Sequence, residues 1–304
     1  MLYRLFDYCR TLLFYFFVCC LLSQDLKLFN MDVLHKIHIT PPFNKFHASY
    51  YPVLHEFPHL PVYFVIGYLI MIVVGPKLME KRTAWKMNGF VKAWNLFLSL
   101  GSFFIFLNIL PYLVEIFYTK GLVGGVCMAP DEKIWTGFQL VCAWVFTLTK
   151  FIELIDTVIL ILKKREIIFL HWYHHTTVLL YTWYCTYTNV SIGWSFLVVN
   201  AFVHTFMYYY YYLSACGKRP SWGKMITQIQ LIQMVIGVFI SSAWAYYYKK
   251  GICPEPHFDG APIGTYFLAA SVAMYGSYLL LFAKFYFGRW SAKPKPDISR
   301  PKKE

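Results

Sequence analysis

Apolar residues gather into runs separated by short polar gaps, and from residue 62 onward the runs recur at near-regular intervals: 62–75, 93–118, 134–162, 167–185, 194–215, 225–248 and 266–288. A helix needs about 20 apolar residues to cross the hydrocarbon of a bilayer. The pattern predicts an all-α, polytopic membrane protein with seven transmembrane helices. Upstream, the apolar stretch 12–22 is short for a span and is flanked by Arg4, Arg10 and the polar Ser23-Gln24-Asp25. It reads as a signal-like segment, an interfacial helix or an extra span. Residues 32–61 are rich in Pro, His and aromatics without helical periodicity, and their histidines, His35, His38, His47, His55 and His59, show no ligand spacing. The expected organisation is an N-terminal extension over 1–61, a seven-span domain over 62–288 and a basic tail over 289–304.

Polar residues inside the runs are not scattered. In the third run Lys150, Glu153, Asp156 and Thr157 recur at steps that place them on one helix face. In the fourth, His171, His174 and His175 share a face that Thr177 extends. In the fifth, Asn200, His204, Tyr208 and Tyr211 follow at intervals of four, four and three, and in the sixth Thr227, Gln230 and Gln233 follow at intervals of three. Ionisable groups at membrane depth are costly and face a bundle interior or a hydrated cavity. Any one stripe is accounted for by packing, as an internal Lys150–Glu153 pair or as amides joining helices. Four stripes on successive runs predict a shared polar chamber.

Composition agrees: of 304 residues, 58% are hydrophobic and 21% aromatic, far above soluble globular usage. The net charge of +13 sits in the gaps, where it sets topology, so nucleic-acid binding is not expected. Basic clusters alternate with less basic gaps: Lys77, Lys81, Arg82, Lys86 and Lys92; then Lys163, Lys164 and Arg165; then Lys218, Arg219 and Lys224; then Lys293, Lys295, Arg300, Lys302 and Lys303. By the positive-inside rule the C-terminus is cytosolic. His174 lies nine residues beyond Arg165, Asp156 seven before Lys163 and His204 fourteen before Lys218, which is roughly 10 to 21 Å from the cytosolic charges at the helical rise. The chamber would open under a basic rim of Lys163, Lys164, Arg165, Lys218, Arg219 and Lys224, suited to phosphate groups, although positive-inside bias alone also yields such a rim. The eight cysteines show no CxxC or zinc spacing. Cys127 and Cys253 are the two in non-cytosolic gaps between runs, and they are expected to pair in an oxidising lumen. The sequon Asn189-Val190-Ser191 lies in a loop too short for glycosylation.

The stripes Lys150-x-x-Glu153-x-x-Asp156-Thr157, His171-x-x-His174-His175, His204-x-x-Met207-Tyr208-x-Tyr210-Tyr211 and Thr227-x-x-Gln230-x-x-Gln233 resemble, in order, the four motifs of the very-long-chain fatty acid elongases, the membrane 3-ketoacyl-CoA synthases. The resemblance covers roughly residues 62–288. It implies a six-helix inverted barrel within the seven spans, enclosing the chamber and an acyl tunnel. It also implies a decarboxylating condensation of a long acyl-CoA with malonyl-CoA, with no cofactor and no metal. The resemblance, together with the nucleophilicity of neutral imidazole, gives His174 as the acylated nucleophile. His204 and Asn200 would face the developing enolate, and His171, His175 and Asp156 would orient the nucleophile or move protons. Lys150, Glu153, Tyr208, Tyr211, Gln230 and Gln233, with the basic rim, would bind substrate.

The histidine-box stretch 168–184 looks like that of members acting on saturated and monounsaturated chains. Expected partners are membrane lipid, the two CoA thioesters and the 3-ketoacyl-CoA reductase, dehydratase and enoyl-CoA reductase of the elongation cycle, with a homo-oligomer left open. Endoplasmic reticulum residence is implied by the family and by Arg300 and Lys302, which resemble a dibasic retrieval signal. Two other classes remain. A di-iron desaturase or hydroxylase would need about eight histidine ligands, against one box and one further membrane histidine here. A seven-span receptor or transporter explains the span number but not the clustered histidines, acids and lysine.

Overall fold

The computed structural model describes residues 56–128, 137–218 and 220–290. Expectations for the apolar stretch 12–22, for His35, His38, His47 and His55, for Arg219 and for the tail residues Lys293, Lys295, Arg300, Lys302 and Lys303 fall outside them. The described residues are all-α apart from one two-stranded hairpin. The elements are α1 (Leu60–Met79), α2 (Asn88–Cys127), α3 (Gly137–Ile152), α4 (Ile155–Leu162), α5 (Phe169–Tyr187), α6 (Gly193–Ala215), α7 (Gly223–Lys249), β1 (His257–Phe258), β2 (Ala261–Pro262) and α8 (Gly264–Trp290). Among them α1, α2, α7 and α8 are long and apolar enough to cross a membrane. The remaining runs are those that carry the ionisable stripes: one is split into α3 and α4, while α5 and α6 exchange aliphatic residues for His, Thr, Asn and Tyr.

The expected single helix over 134–162 is broken at Glu153 and Leu154. There the hydrogen bonds tighten to three-residue steps, from Leu154 N to Phe151 O, Asp156 N to Glu153 O and Thr157 N to Leu154 O. Three-residue steps eclipse side chains at i and i+3. Past the break Asp156 lines the chamber, while Lys150 and Glu153 before it are buried against Asn200 and His204.

Helix α2 runs past the expected end at residue 118 to Cys127, bending at Gly121, whose φ of 62° costs a glycine little. It packs along α6, and around Ile109, Leu113, Phe117, Cys142, Leu197 and Ala201 the α2–α3–α6 contact is a dry cluster. A second cluster joins α5, α7 and α8. At Gly237 on α7 an added Cβ would lie 2.2 Å from the Tyr275 ring, so glycine sets how closely α8 approaches.

Cys127 and Cys253 form the expected disulfide, tying the end of α2 to the loop after α7 across 126 residues of sequence. That loop is further held by Glu255, which accepts hydrogen bonds from the Tyr248 hydroxyl and, at 2.6 Å, from Gly264 N–H. These donors, Tyr248 foremost, hold the Glu255 carboxyl below its ordinary pKa. The stabilisation is present above the unfolded value and is lost as pH falls through the lowered one. Closing so long a loop restricts the unfolded chain, and such bridges contribute about 2–4 kcal/mol. Cys253→Ser is expected to lower the apparent unfolding midpoint in detergent by several degrees relative to oxidised wild type. An unchanged midpoint would show that the bridge adds no stability.

Candidate active site

The four stripes converge. Asp156 from the start of α4 accepts hydrogen bonds from the Trp94 indole at 2.6 Å and from the Tyr208 hydroxyl at 2.8 Å, one to each carboxylate oxygen. Lys150 and Glu153, 1% and 2% exposed, pair at 2.7 Å. The Lys150 ammonium also donates to Asn200 Oδ1 at 3.1 Å. Glu153 Oε1 stands 3.5 Å from His204 Nδ1. A buried ammonium and carboxylate persist only when paired and further hydrogen-bonded, and here the surplus contacts fall on Asn200 and His204.

On α5 the three histidines differ in what holds them. His171 Nε2 shares a hydrogen bond of 2.8 Å with the Thr157 hydroxyl. His175, whose ring lies 4.5 Å from that of His171, has no hydrogen-bond partner for Nδ1 among the described residues. His174 packs on Tyr278, ring centroids 5.1 Å apart. Thr177 does not reach the chamber; its hydroxyl meets the Tyr278 hydroxyl at 2.5 Å, and Tyr278 also donates to the His174 carbonyl at 3.2 Å.

Two cavities meet at this place. A chamber of about 810 Å³ is lined by Asp156, His171, His174, His175, Asn200, His204, Tyr208, Tyr211, Gln230 and Gln233, closed on the α8 side by Phe282 and Phe285. A mainly apolar cavity of about 1050 Å³ runs between α3, α5, α6 and α8, past Trp144, Val178, Tyr181, Phe196, Leu197 and Tyr275 to Val190 and Gly193. His174, Asn200 and Gln233 line both. His171, His175 and His204 line the chamber alone of the two.

Of the residues expected to bind substrate, Tyr208, Tyr211, Gln230 and Gln233 line the chamber, with the Gln230 amide 3.4 Å from Met207 Sδ. Lys150, Glu153, Thr157 and Thr227 line neither cavity and are buried behind the wall. Along the basic rim, Lys164 Nζ donates to the Glu80 and Arg82 carbonyls and Lys163 Nζ to Asn88, so both fasten the loop between α1 and α2. Arg165 and Lys218 are exposed. Trp94, Tyr68 and Tyr278 were not anticipated. Their sequence signal is an aromatic residue among many: Tyr275, Tyr278 and Phe282 follow at three and four, a spacing that lipid-facing aromatics share.

A bundle of membrane helices that gathers histidines, two carboxylates and a lysine where a polar chamber meets an apolar cavity defines a membrane-embedded enzyme handling a substrate with one polar and one greasy end. Residues 53–297 match the ELO: GNS1/SUR4 family. Very long chain fatty acid elongase 6 of Gallus gallus is 36% identical over 233 residues, covering 74% of this chain and 82% of that protein. Very long chain fatty acid elongase 3 of Mus musculus is 34% identical over 252 residues, covering 82% and 88%. Fatty acid elongase 2 of Trypanosoma cruzi is 31% identical over 252 residues, covering 79% and 88%. The chain belongs to the ELO family. It is a multi-pass membrane protein and a condensing enzyme of very-long-chain fatty acid elongation, a 3-oxoacyl-CoA synthase whose substrates are acyl-CoA and malonyl-CoA.

Proposed function

We propose that condensation proceeds in two half-reactions that both pass through His174. The observation that carries this reading is position: of the four membrane histidines, His174 lines both cavities. In the first half-reaction the acyl chain lies in the apolar cavity with its thioester at the junction. A ring nitrogen of His174 attacks the carbonyl carbon, the C–S bond breaks, and CoA leaves as a thiolate that takes up the proton lost by the imidazole. In the second, malonyl-CoA occupies the chamber. Its carbon–carboxylate bond breaks, carbon dioxide departs, and the electron pair forms an enolate that attacks the acyl carbon. The bond to His174 then breaks and the imidazole regains a proton, so that one proton is consumed overall.

The surrounding groups fit these steps. With its oxygen held by Lys150, the Asn200 amide turns its N–H groups elsewhere, as donors for a developing oxyanion at the junction. Glu153 beside His204 Nδ1 repeats the carboxylate–imidazole arrangement of serine hydrolases, in which the acid fixes the tautomer and stabilises the imidazolium. In its imidazolium form, with Nδ1–H towards Glu153, His204 presents its Nε2–H to the enolate. His171, His175 and Asp156 orient His174 and move protons. Cysteine is the poorer nucleophile here: Cys185 lies in the apolar cavity eleven residues beyond His174, about 16 Å along the helix, where the acyl tail would run.

In this reading the runs form seven spans around a barrel with a cytosolic C-terminus in the endoplasmic reticulum, and residues 62–288 make the catalytic domain. The basic rim guides the CoA phosphates, and the cycle's two reductases and its dehydratase take up the product. The resemblance of the box region favours saturated or monounsaturated chains. Purified protein given acyl-CoA alone is expected to release up to one equivalent of CoA in a burst, and, once malonyl-CoA is added, to form more 3-ketoacyl-CoA from saturated and monounsaturated than from polyunsaturated chains. CoA release that waits for malonyl-CoA would contradict the two-stage scheme.

A further inference from the structure

Helix α1 turns most of its surface outward: Ile66, Leu69 and Ile70 are 52%, 38% and 57% exposed. Tyr68 is one of the few buried residues of this helix, 3% exposed and packed with Val65 against Leu154 and Leu179. Its hydroxyl lies 2.8 Å from Thr157 Oγ1, and Thr157 Oγ1 lies 2.8 Å from His171 Nε2. Three side chains from α1, α4 and α5 thus form one buried chain of hydrogen bonds ending on a histidine of the chamber.

The protons in this chain can be assigned. Other threonines of the neighbouring helices, Thr147, Thr176 and Thr186, donate to the carbonyl four residues back. Thr157, one turn past the break at Glu153, makes no such bond among the described residues, so its hydroxyl proton goes to Tyr68 or to His171. If it went to Tyr68, the buried phenol proton would be left without an acceptor, an arrangement folded proteins avoid. In the other direction each proton has a place: Tyr68 donates to Thr157, and Thr157 donates to His171 Nε2. That nitrogen then carries no proton, so the neutral ring carries it on Nδ1.

We infer that Tyr68 is a positioning residue of the condensation: through Thr157 it holds His171 as the Nδ1–H tautomer, so that this histidine serves the chamber as a hydrogen-bond donor and not as a base. The inference rests on the reading of the chamber as the condensation site and narrows the role given there to His171.

The test uses full-length protein in detergent micelles, with 15N-labelled histidine and His171 assigned by comparison with His171→Gln. Long-range proton–nitrogen correlation separates the two tautomers. Wild type and Thr157→Ser are expected to show an unprotonated Nε2 and a protonated Nδ1 on His171. Tyr68→Phe is expected to give a mixed or reversed tautomer and a kcat lower by about tenfold, with the KM for malonyl-CoA unchanged and the unfolding midpoint lowered by no more than the few degrees that one buried hydrogen bond accounts for. A protonated Nε2 in wild type, or Tyr68→Phe with wild-type tautomer and kcat beside an impaired His171→Gln, overturns this inference alone. A fully active His171→Gln overturns the reading of the site and this inference with it.

Discussion

Replacing His174 by alanine is expected to lower 3-ketoacyl-CoA formation by about a thousandfold or more, as removal of a covalent nucleophile does elsewhere, while the protein still folds. The folding expectation follows from the surroundings: His174 borders two cavities, and among the described residues neither ring nitrogen has a hydrogen-bond partner, so truncation orphans no buried group. Burst release of CoA from acyl-CoA should vanish in the same variant. His175→Ala should behave differently, slowing turnover without abolishing the burst, because His175 lines the chamber but not the apolar cavity. Equal loss of the burst in both variants would remove the distinction between nucleophile and support.

The second large effect concerns stability. Lys150→Met leaves the Glu153 carboxylate buried at 2% exposure with its ammonium partner gone, and breaking a buried pair from one side costs about 3–5 kcal/mol. The double variant Lys150→Met/Glu153→Leu removes both charges, and such apolar replacements are often near neutral. It is expected to regain most of the unfolding midpoint lost in Lys150→Met yet remain inactive, because Asn200 loses the ammonium that orients it and His204 loses its carboxylate. Midpoints in detergent together with condensation rates separate the two contributions. An active double variant would reduce the Lys150–Glu153 pair to packing.

The site was more legible in the chain than the fold that carries it. Periodicity alone placed Asp156, the three histidines of α5, Asn200, His204, Tyr208, Tyr211, Gln230 and Gln233 on inward faces, because a costly polar group in an apolar helix has few other places to go. The break at Glu153 was hidden by the same regularity: i and i+3 lie on one face of an α-helix and also of a tighter turn, so the stripe Lys150, Glu153, Asp156 reads alike in both. The course of α2 past residue 118 depends on Gly121, one glycine among many in a membrane chain. The division of labour within the stripes could not be read from spacing at all. Lys150, Glu153 and Thr157 look like their neighbours in sequence, and only packing turns them away from the cavities, towards Asn200, His204 and His171. Tyr68 and Trp94 belong to α1 and α2, runs without a polar stripe, and their meeting with Thr157 and Asp156 is a product of tertiary contact.

The central claim is that His174 is acylated during turnover. Wild-type protein mixed with a saturated long-chain acyl-CoA in the absence of malonyl-CoA, quenched within the burst and digested, should yield one modified peptide carrying the mass of the acyl group on His174, and the modification should disappear when malonyl-CoA is added. An acyl group found on Cys185 or another cysteine, or no adduct in protein that condenses at its normal rate, would contradict the account.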